Sequence, residues 1–295
     1  MSSALRGSHL TAGMCRRCLK RPLRCFRTQS DLPMTRALPR AHFNSSRLVR
    51  FLSENALTDA APAGGDVGQK LGDWLNFRQA IALHGLLNPE PRPDPQPAHM
   101  RRAAMMTAEA LDKHVDKVRA QLEQSIMQGA PPGSGLARID MPLPEMDEPI
   151  EVKTAFEPYR RFYAAHQRQM ESTVQKLRSQ VRGQLSKSAG TLQQLATLDT
   201  AFESILSERE AALLAKVPKL LEKRFVQAIK QHLKQATELR AEGSSDAPSA
   251  QSSVNAWLMP LRQTMRSALL AELDTRLQPT LGLLEAFNQE TPQEQ

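Results

Sequence analysis

Tyr159-Arg160-Arg161-Phe162-Tyr163-Ala164-Ala165-His166-Gln167-Arg168-Gln169-Met170-Glu171-Ser172-Thr173-Val174-Gln175-Lys176-Leu177-Arg178-Ser179-Gln180-Val181 is the stretch that decides the fold. Tyr159, Tyr163, His166, Met170, Val174, Leu177 and Val181 recur at steps of four and three residues. That period puts them on one side of an α-helix, close to the heptad seam of a coiled coil. A half-buried strand would alternate at every second residue instead. Thr154 and Glu157 have the spacing of a capping box, and Pro158 suits a first helical turn. Gly190 ends the segment.

The pattern extends in both directions. Downstream, Thr191 and Gln194 read as a cap, followed by Leu195, Leu198, Phe202 and Ile205. Pro218 kinks or restarts the helix, and Leu221, Phe225, Ile229, Leu233 and Ala236 follow. Residues 243–253 read as a Gly/Ser linker. A last helix over 254–287 carries Trp257, Leu261, Met265, Leu269, Leu273, Leu277 and Leu281, with Pro279 bending its end, and 288–295 form a disordered tail. Upstream, residues 129–150 are a Pro/Gly break that turns acidic at Asp140, Glu145, Asp147, Glu148 and Glu151. Before it, an amphipathic helix over 99–128 shows Leu111, Val115, Val118, Leu122 and Ile126 at helical spacing.

Residues 88–98 place proline at every second position from Pro89 to Pro97, which forbids helix and makes a stiff spacer. Residues 44–87 read as a helical hairpin. Asn44, Ser45 or Ser46 caps a first helix with Leu48, Phe51, Leu52 and Ala56. Pro62, Gly64 and Gly65 break it, and Asp66 with Gln69 opens a second helix through Leu71, Trp74, Leu75, Ala80, Ile81, Leu83 and Leu86. Trp74 is expected at the contact between the two, where Trp74→Ala would cost about 3–5 kcal/mol. The expected architecture is therefore all-α: an N-terminal hairpin, then long amphipathic or coiled-coil helices in an elongated bundle over 151–287.

Composition agrees. Aromatic residues are 4% of the 295, too few for a β-rich or compact α/β enzyme. No run of about 18 apolar residues supplies a membrane span. The net charge of +8 resides mainly in residues 1–33, where seven basic residues face Asp31 alone and leave +2 for the rest. The basic character is thus weak evidence that the body binds nucleic acid. All three cysteines, Cys15, Cys18 and Cys25, also fall in this tail. With His9 they imitate a zinc site, but the stretch lacks the apolar residues that pack around one. It reads better as a disordered, transit-peptide-like segment, with Met34 as the expected true start.

Chemistry is hard to place. Gly64-Gly65-Asp66-Val67-Gly68-Gln69-Lys70 lacks the Gly-Lys-Ser/Thr ending of a phosphate loop. The histidines are dispersed, and His166 on an apolar stripe reads as a core residue. Glu208 and Glu210, two apart on a helix, point in different directions. The expectation is a protein without enzymatic activity, cofactor, metal or small-molecule substrate. One cluster invites a binding role. Tyr159, Arg160, Arg161 and Tyr163, with Met170, Val174, Leu177 and Val181, form a candidate interaction surface for a second copy or another helical protein. The alternative is nucleic acid, because 155–188 and 214–240 each carry seven basic residues against two acidic ones. Helical spacing already accounts for the aromatics, which favours the protein partner.

Several segments together resemble an uncharacterised bacterial family, a domain of unknown function found mainly in proteobacteria. They are Ala41-His42-Phe43-Asn44-Ser45-Ser46-Arg47-Leu48-Val49-Arg50, Leu71-Gly72-Asp73-Trp74-Leu75, the stretch 159–168, Val217-Pro218-Lys219-Leu220-Leu221-Glu222-Lys223-Arg224-Phe225, and Arg276-Leu277-Gln278-Pro279-Thr280-Leu281-Gly282-Leu283-Leu284-Glu285-Ala286. The likeness covers roughly 40–287 and carries no catalytic residue. It implies a partner among cell-envelope complexes of the stator-like and OmpA-like kind. The expected role is then a cytoplasmic helical adaptor or assembly protein, peripheral to the inner membrane through its partner.

Overall fold

The computed structural model describes residues 46–55, 57, 67–87, 106–143, 151–152, 154–188, 190–241 and 250–290. The tail 1–33, the spacer 88–98, Asp66 of the expected cap and the acidic residues Glu145, Asp147 and Glu148 lie outside them. Among the described residues there is no strand. The helices are α1 Arg47–Glu54, α2 Val67–Trp74, α3 Phe77–Leu87, α4 Ala108–Gln128, α5 Glu157–Leu185, α6 Thr191–Leu214, α7 Val217–Ala241 and α8 Ala250–Glu290. All belong to the unit 41–295.

Helix α8 is the hub. Against it pack α1, α4, α5, α6 and α7, and α5 forms its most extensive partner. The reason is visible in the middle of α8, where Ala268, Leu269, Ala271, Glu272, Leu273 and Leu277 are all buried. A helix apolar around most of its circumference has neighbours on most sides. The helix continues through both Pro260 and Pro279, each of which removes one ladder hydrogen bond. It also extends past 287, where Asn288 Nδ2 donates to Asp112 of α4 at 2.9 Å, so residues 288–290 are helix rather than tail.

The expected stripes are the buried ones. On α4, Leu111, Val115, Leu122 and Ile126 enter the core, with Val118 partly buried beside them. The helix starts later than expected, because Thr107 caps it by accepting from the Ala110 N–H at 3.2 Å. On α5, Pro158 occupies the first turn, and Thr154 bonds back to Glu151 instead of capping. Gly190, at φ +72°, precedes α6. Thr191 makes no cap there; its hydroxyl bonds the Glu290 carboxylate. After Pro218, Leu221, Phe225 and Ile229 are buried, whereas Leu233 is exposed, so the α7 stripe ends a turn early.

Two expectations fail. First, residues 44–87 do not form a hairpin closed on itself. Helix α1 lies on α8 and α3 lies on α6. Asp274 of α8 takes Arg47 of α1 at 2.5 Å and Arg119 of α4 at 2.8 Å. Leu48 packs with Leu214 and Ala271. The second helix is itself divided at Leu75–Asn76, where a reciprocal capping box restarts it. Gln79 N–H donates to Asn76 Oδ1 at 2.9 Å, and Asn76 N–H donates to Gln79 Oε1 at 3.0 Å. Trp74 is consequently only half-buried, with the Arg209 guanidinium 5.6 Å from its ring centre. Trp74→Ala is expected to cost about 1 kcal/mol, a cation–π and partial-burial loss, measured by urea unfolding. A loss of about 4 kcal/mol would restore the buried reading.

Second, residues 129–143 are not a free linker. Gly129, Gly133 and Gly135 adopt positive φ, and the segment lays Leu136, Ile139 and Met141 against the main core. Tyr159 Oη donates to the Leu143 carbonyl at 3.3 Å.

Candidate functional site

The structure separates the eight residues of the expected interaction surface into two groups. Tyr159, Tyr163, Met170, Val174, Leu177 and Val181 are buried in the main core of the bundle. The seam faces helices of the same chain, so it is not an open surface for a partner. Arg160 and Arg161 stay on the outside, and both are ion-paired. Arg160 joins Glu157 at 2.9 Å and Glu222 of α7 at 2.6 Å, while Arg161 joins Glu157 at 3.2 Å.

Other basic residues of α5 are also committed. Asp199 of α6 receives Arg178 through two nitrogens and Arg182 at 3.0 Å, and Arg182 reaches Glu203 at 2.6 Å. A planar guanidinium on a carboxylate in this fork geometry is held in register. Of the seven basic residues along 155–188, Arg178 and Arg182 thus form a cross-helix network between α5 and α6, and Arg160 and Arg161 are paired elsewhere. Asp140 pairs with its neighbour Arg138 and not with α5.

A polar centre that no apolar stripe reveals lies between α5, α6 and α8. Glu272 is 0% exposed. Its carboxylate accepts from Tyr163 Oη at 3.0 Å, from Gln167 Nε2 at 3.0 Å and from Arg276 at 2.9 Å. Gln167 Nε2 also reaches the Leu214 carbonyl at the end of α6, at 3.1 Å. Burial pushes the Glu272 carboxyl above its usual range, against the pull of Arg276. Burial, followed by the charge of Glu272, drives the Tyr163 hydroxyl well above its own. Four side chains from α5 and α8 meet here, joined by the Leu214 carbonyl of α6, which makes a register lock for the bundle.

His166 is a further buried titratable group. It lies 4.6 Å centre to centre from Phe162, edge to face. Burial lowers its pKa to about 4, from 6.5. The sign is that of a depressed base. Its contribution is fully present above pH 6.5 and is lost as pH falls toward 4, about 3 kcal/mol in all. Urea unfolding at pH 7 and pH 4.5 is expected to show a larger loss in the wild type than in His166→Leu. Equal losses would show that His166 does not titrate in this window.

Two surface features remain. A groove of about 820 Å³ runs between α5 and α7, with Ala164, Ala215, Pro218 and Val226 in its wall and Arg160, Lys219, Lys223 and Glu222 at its edge. The other is the outer side of α3. Leu83 seats this helix on α6, while Phe77, Ile81 and Leu87 on other sides are 80%, 57% and 65% exposed. The capping box at Asn76 fixes where α3 begins and hence which side turns outward. The pattern Asn-x-x-Gln was present in the sequence as the signal for it. Among the described residues, no group of His, Cys, Asp and Glu has the arrangement of a metal site. No described helix is long and apolar enough to cross a membrane.

These features define an all-α bundle sealed by polar locks, with one helix apolar on both its inner and outer sides. The chain belongs to the family described as a protein of unknown function, DUF3348, which it matches over residues 34–289. No curated protein and no solved structure matches it.

Proposed function

We propose that the protein is a non-enzymatic helical adaptor or assembly protein that holds a partner by helix-on-helix contact, with α3 presenting the contact face. One observation carries this reading: Phe77, Ile81 and Leu87 are left in water on a helix whose Leu83 is already seated on α6. Large apolar groups gathered on one exposed face gain about 25 cal/mol per Å² when a partner covers them. The partner is itself helical. The family likeness favours a cytoplasmic setting, peripheral to the inner membrane through a cell-envelope complex.

The second reading, nucleic acid on the basic edge of the α5–α7 groove, rests on exposed Lys219 and Lys223. The pairing of Arg160, Arg178 and Arg182 with carboxylates weakens it. The test places a photo-crosslinking benzoylphenylalanine at position 81 of the full-length protein in its native cell, with a control probe at exposed Lys176. The adaptor reading expects a discrete adduct from position 81 alone. No adduct from position 81 rejects it. Labelled oligonucleotides titrated at roughly 50 and 200 mM salt address the rival. Tight binding that collapses with salt and vanishes in Lys219→Glu with Lys223→Glu would put the nucleic-acid reading in its place.

A further inference from the structure

We infer that the groove between α5 and α7 is a binding site of its own, and that its occupant is a short extended segment of an acidic peptide with carboxylates at alternate positions. No residue of α3 lines this groove, so the site goes beyond the contact assigned to that helix.

Charge and lining carry it together. Lys219 and Lys223 are exposed at the edge, one turn apart on the same side of α7, and neither meets a carboxylate among the described residues. Arg160 and Glu222 neutralise each other at 2.6 Å, so the two lysines leave the lining with a surplus of positive charge. Helix α7 has no acidic residue in its first turn, so its N-terminal dipole adds to that charge. Lys219 in this turn opposes the dipole of its own helix, a local conflict of the kind met where a charge serves a ligand. Ala164, Ala215, Pro218 and Val226 keep the wall apolar. Gln167 adds a single acceptor. Its Nε2 is held by the Leu214 carbonyl and the Glu272 carboxylate, which settles which end of the amide is nitrogen. Its Oε1 is left accessible and without a donor among the described residues, ready for a peptide N–H.

Dimensions select the extended form. From Pro218 to Gln227 the groove follows α7 for about 14 Å, the span of about four extended residues. Alternate residues of an extended segment point to one side and lie about 7 Å apart. Residues four apart on a helix, such as Lys219 and Lys223, lie about 6 Å apart. Two alternate carboxylates therefore reach both lysines, while the side chains between them turn to the apolar wall. A helical ligand about 10 Å across would take about 1,100 Å³ over the same length, more than the 820 Å³ of the groove. Nucleic acid fits less well, because no lining residue is aromatic for a base to stack on and Glu222 opposes phosphate. An acyl chain would leave Gln167 Oε1 without a donor.

Fluorescence anisotropy of the full chain with a fluorescein-labelled, C-terminally amidated Val-Glu-Val-Glu-Val peptide tests this. The expected Kd is about 10–100 µM. Lys219→Glu with Lys223→Glu is expected to weaken binding at least about tenfold, with an unchanged melting curve because both side chains are exposed. A Val-Lys-Val-Lys-Val peptide is expected to reverse the order, binding the double variant and not the wild type. Placing the two glutamates side by side in the peptide is expected to weaken binding about threefold. Ile81→Glu is expected to bind the peptide like the wild type, so the groove and the α3 face are read separately. A wild type that shows no saturation up to about 1 mM peptide overturns the inference, as does a double variant that binds like the wild type. Equal affinity for the side-by-side peptide rejects the alternate-carboxylate arrangement. Displacement of the peptide by single-stranded oligothymidylate at low salt, lost at high salt, assigns the groove to nucleic acid instead.

Discussion

Leu177→Asp is expected to abolish the fold itself, and with it any binding. Leu177 is 1% exposed in the middle of α5, inside the core formed with α8. Shortening a buried leucine costs about 2–5 kcal/mol in lost contacts and cavity. The new carboxylate has no counter-ion in that seam, and its desolvation adds several kcal/mol more. The sum reaches the whole stability of an ordinary domain, about 5–15 kcal/mol. Far-UV circular dichroism and urea unfolding are expected to show little cooperative structure at 25 °C. A variant that melts like the wild type but no longer associates would return Leu177 to the surface and overturn the placement of the seam.

Arg276→Ala is the second large effect. It leaves Glu272 enclosed with Tyr163 and Gln167 as donors but no cation. Removing one member of a buried ion pair costs about 3–5 kcal/mol, because the remaining charge is left uncompensated. Glu272 already has a raised pKa, and losing Arg276 raises it further. For an acid with a raised folded-state pKa, stability is greatest below the ordinary value of 4.5 and falls as pH climbs through the folded one. The deficit of Arg276→Ala is therefore expected to be largest near neutral pH and to shrink toward pH 4.5. Arg276→Met combined with Glu272→Met is expected to recover most of the loss. A pH-independent deficit, or a double variant as weak as the single one, would show that the Arg276 stem and not its charge holds the site.

The helices were legible because a stripe at helical spacing is a local property. Leu111 to Ile126, Tyr159 to Val181 and Leu261 to Leu277 could each be seen in a few turns. What covers a stripe is not local. The seam on α5 reads the same whether its partner is α8, about a hundred residues later, or another chain, which is why the spacing alone presents it as an open surface. Charges counted along one segment hide the same information. Arg178 and Arg182 look like part of a cationic face until Asp199 folds back onto them. The α3 face was missed for the opposite reason. Ile81 falls in a single longer helix by spacing, and only the restart at Asn76 turns it and Phe77 outward. Glu272 gave no signal because one acid among leucines resembles any exposed position of an amphipathic helix until the helix is surrounded. The extended run 129–143 was read by its prolines and glycines, and those residues say nothing of what Ile139 and Met141 touch.

The position of α8 at the centre of the bundle has a consequence for how the chain is made. Synthesis is vectorial, and the helix on which α1, α4, α5, α6 and α7 all lean leaves the ribosome after every one of them. At about 5–20 residues per second, the seam of α5 waits roughly 5–20 s for α8 to emerge. During that interval Tyr163, Met170 and Leu177 have no α8 to cover them, so a nascent chain presents a chaperone with the surface that the finished protein hides. A message broken before codon 250 would yield a product fixed in that state, marked for proteolysis by its own unfilled core.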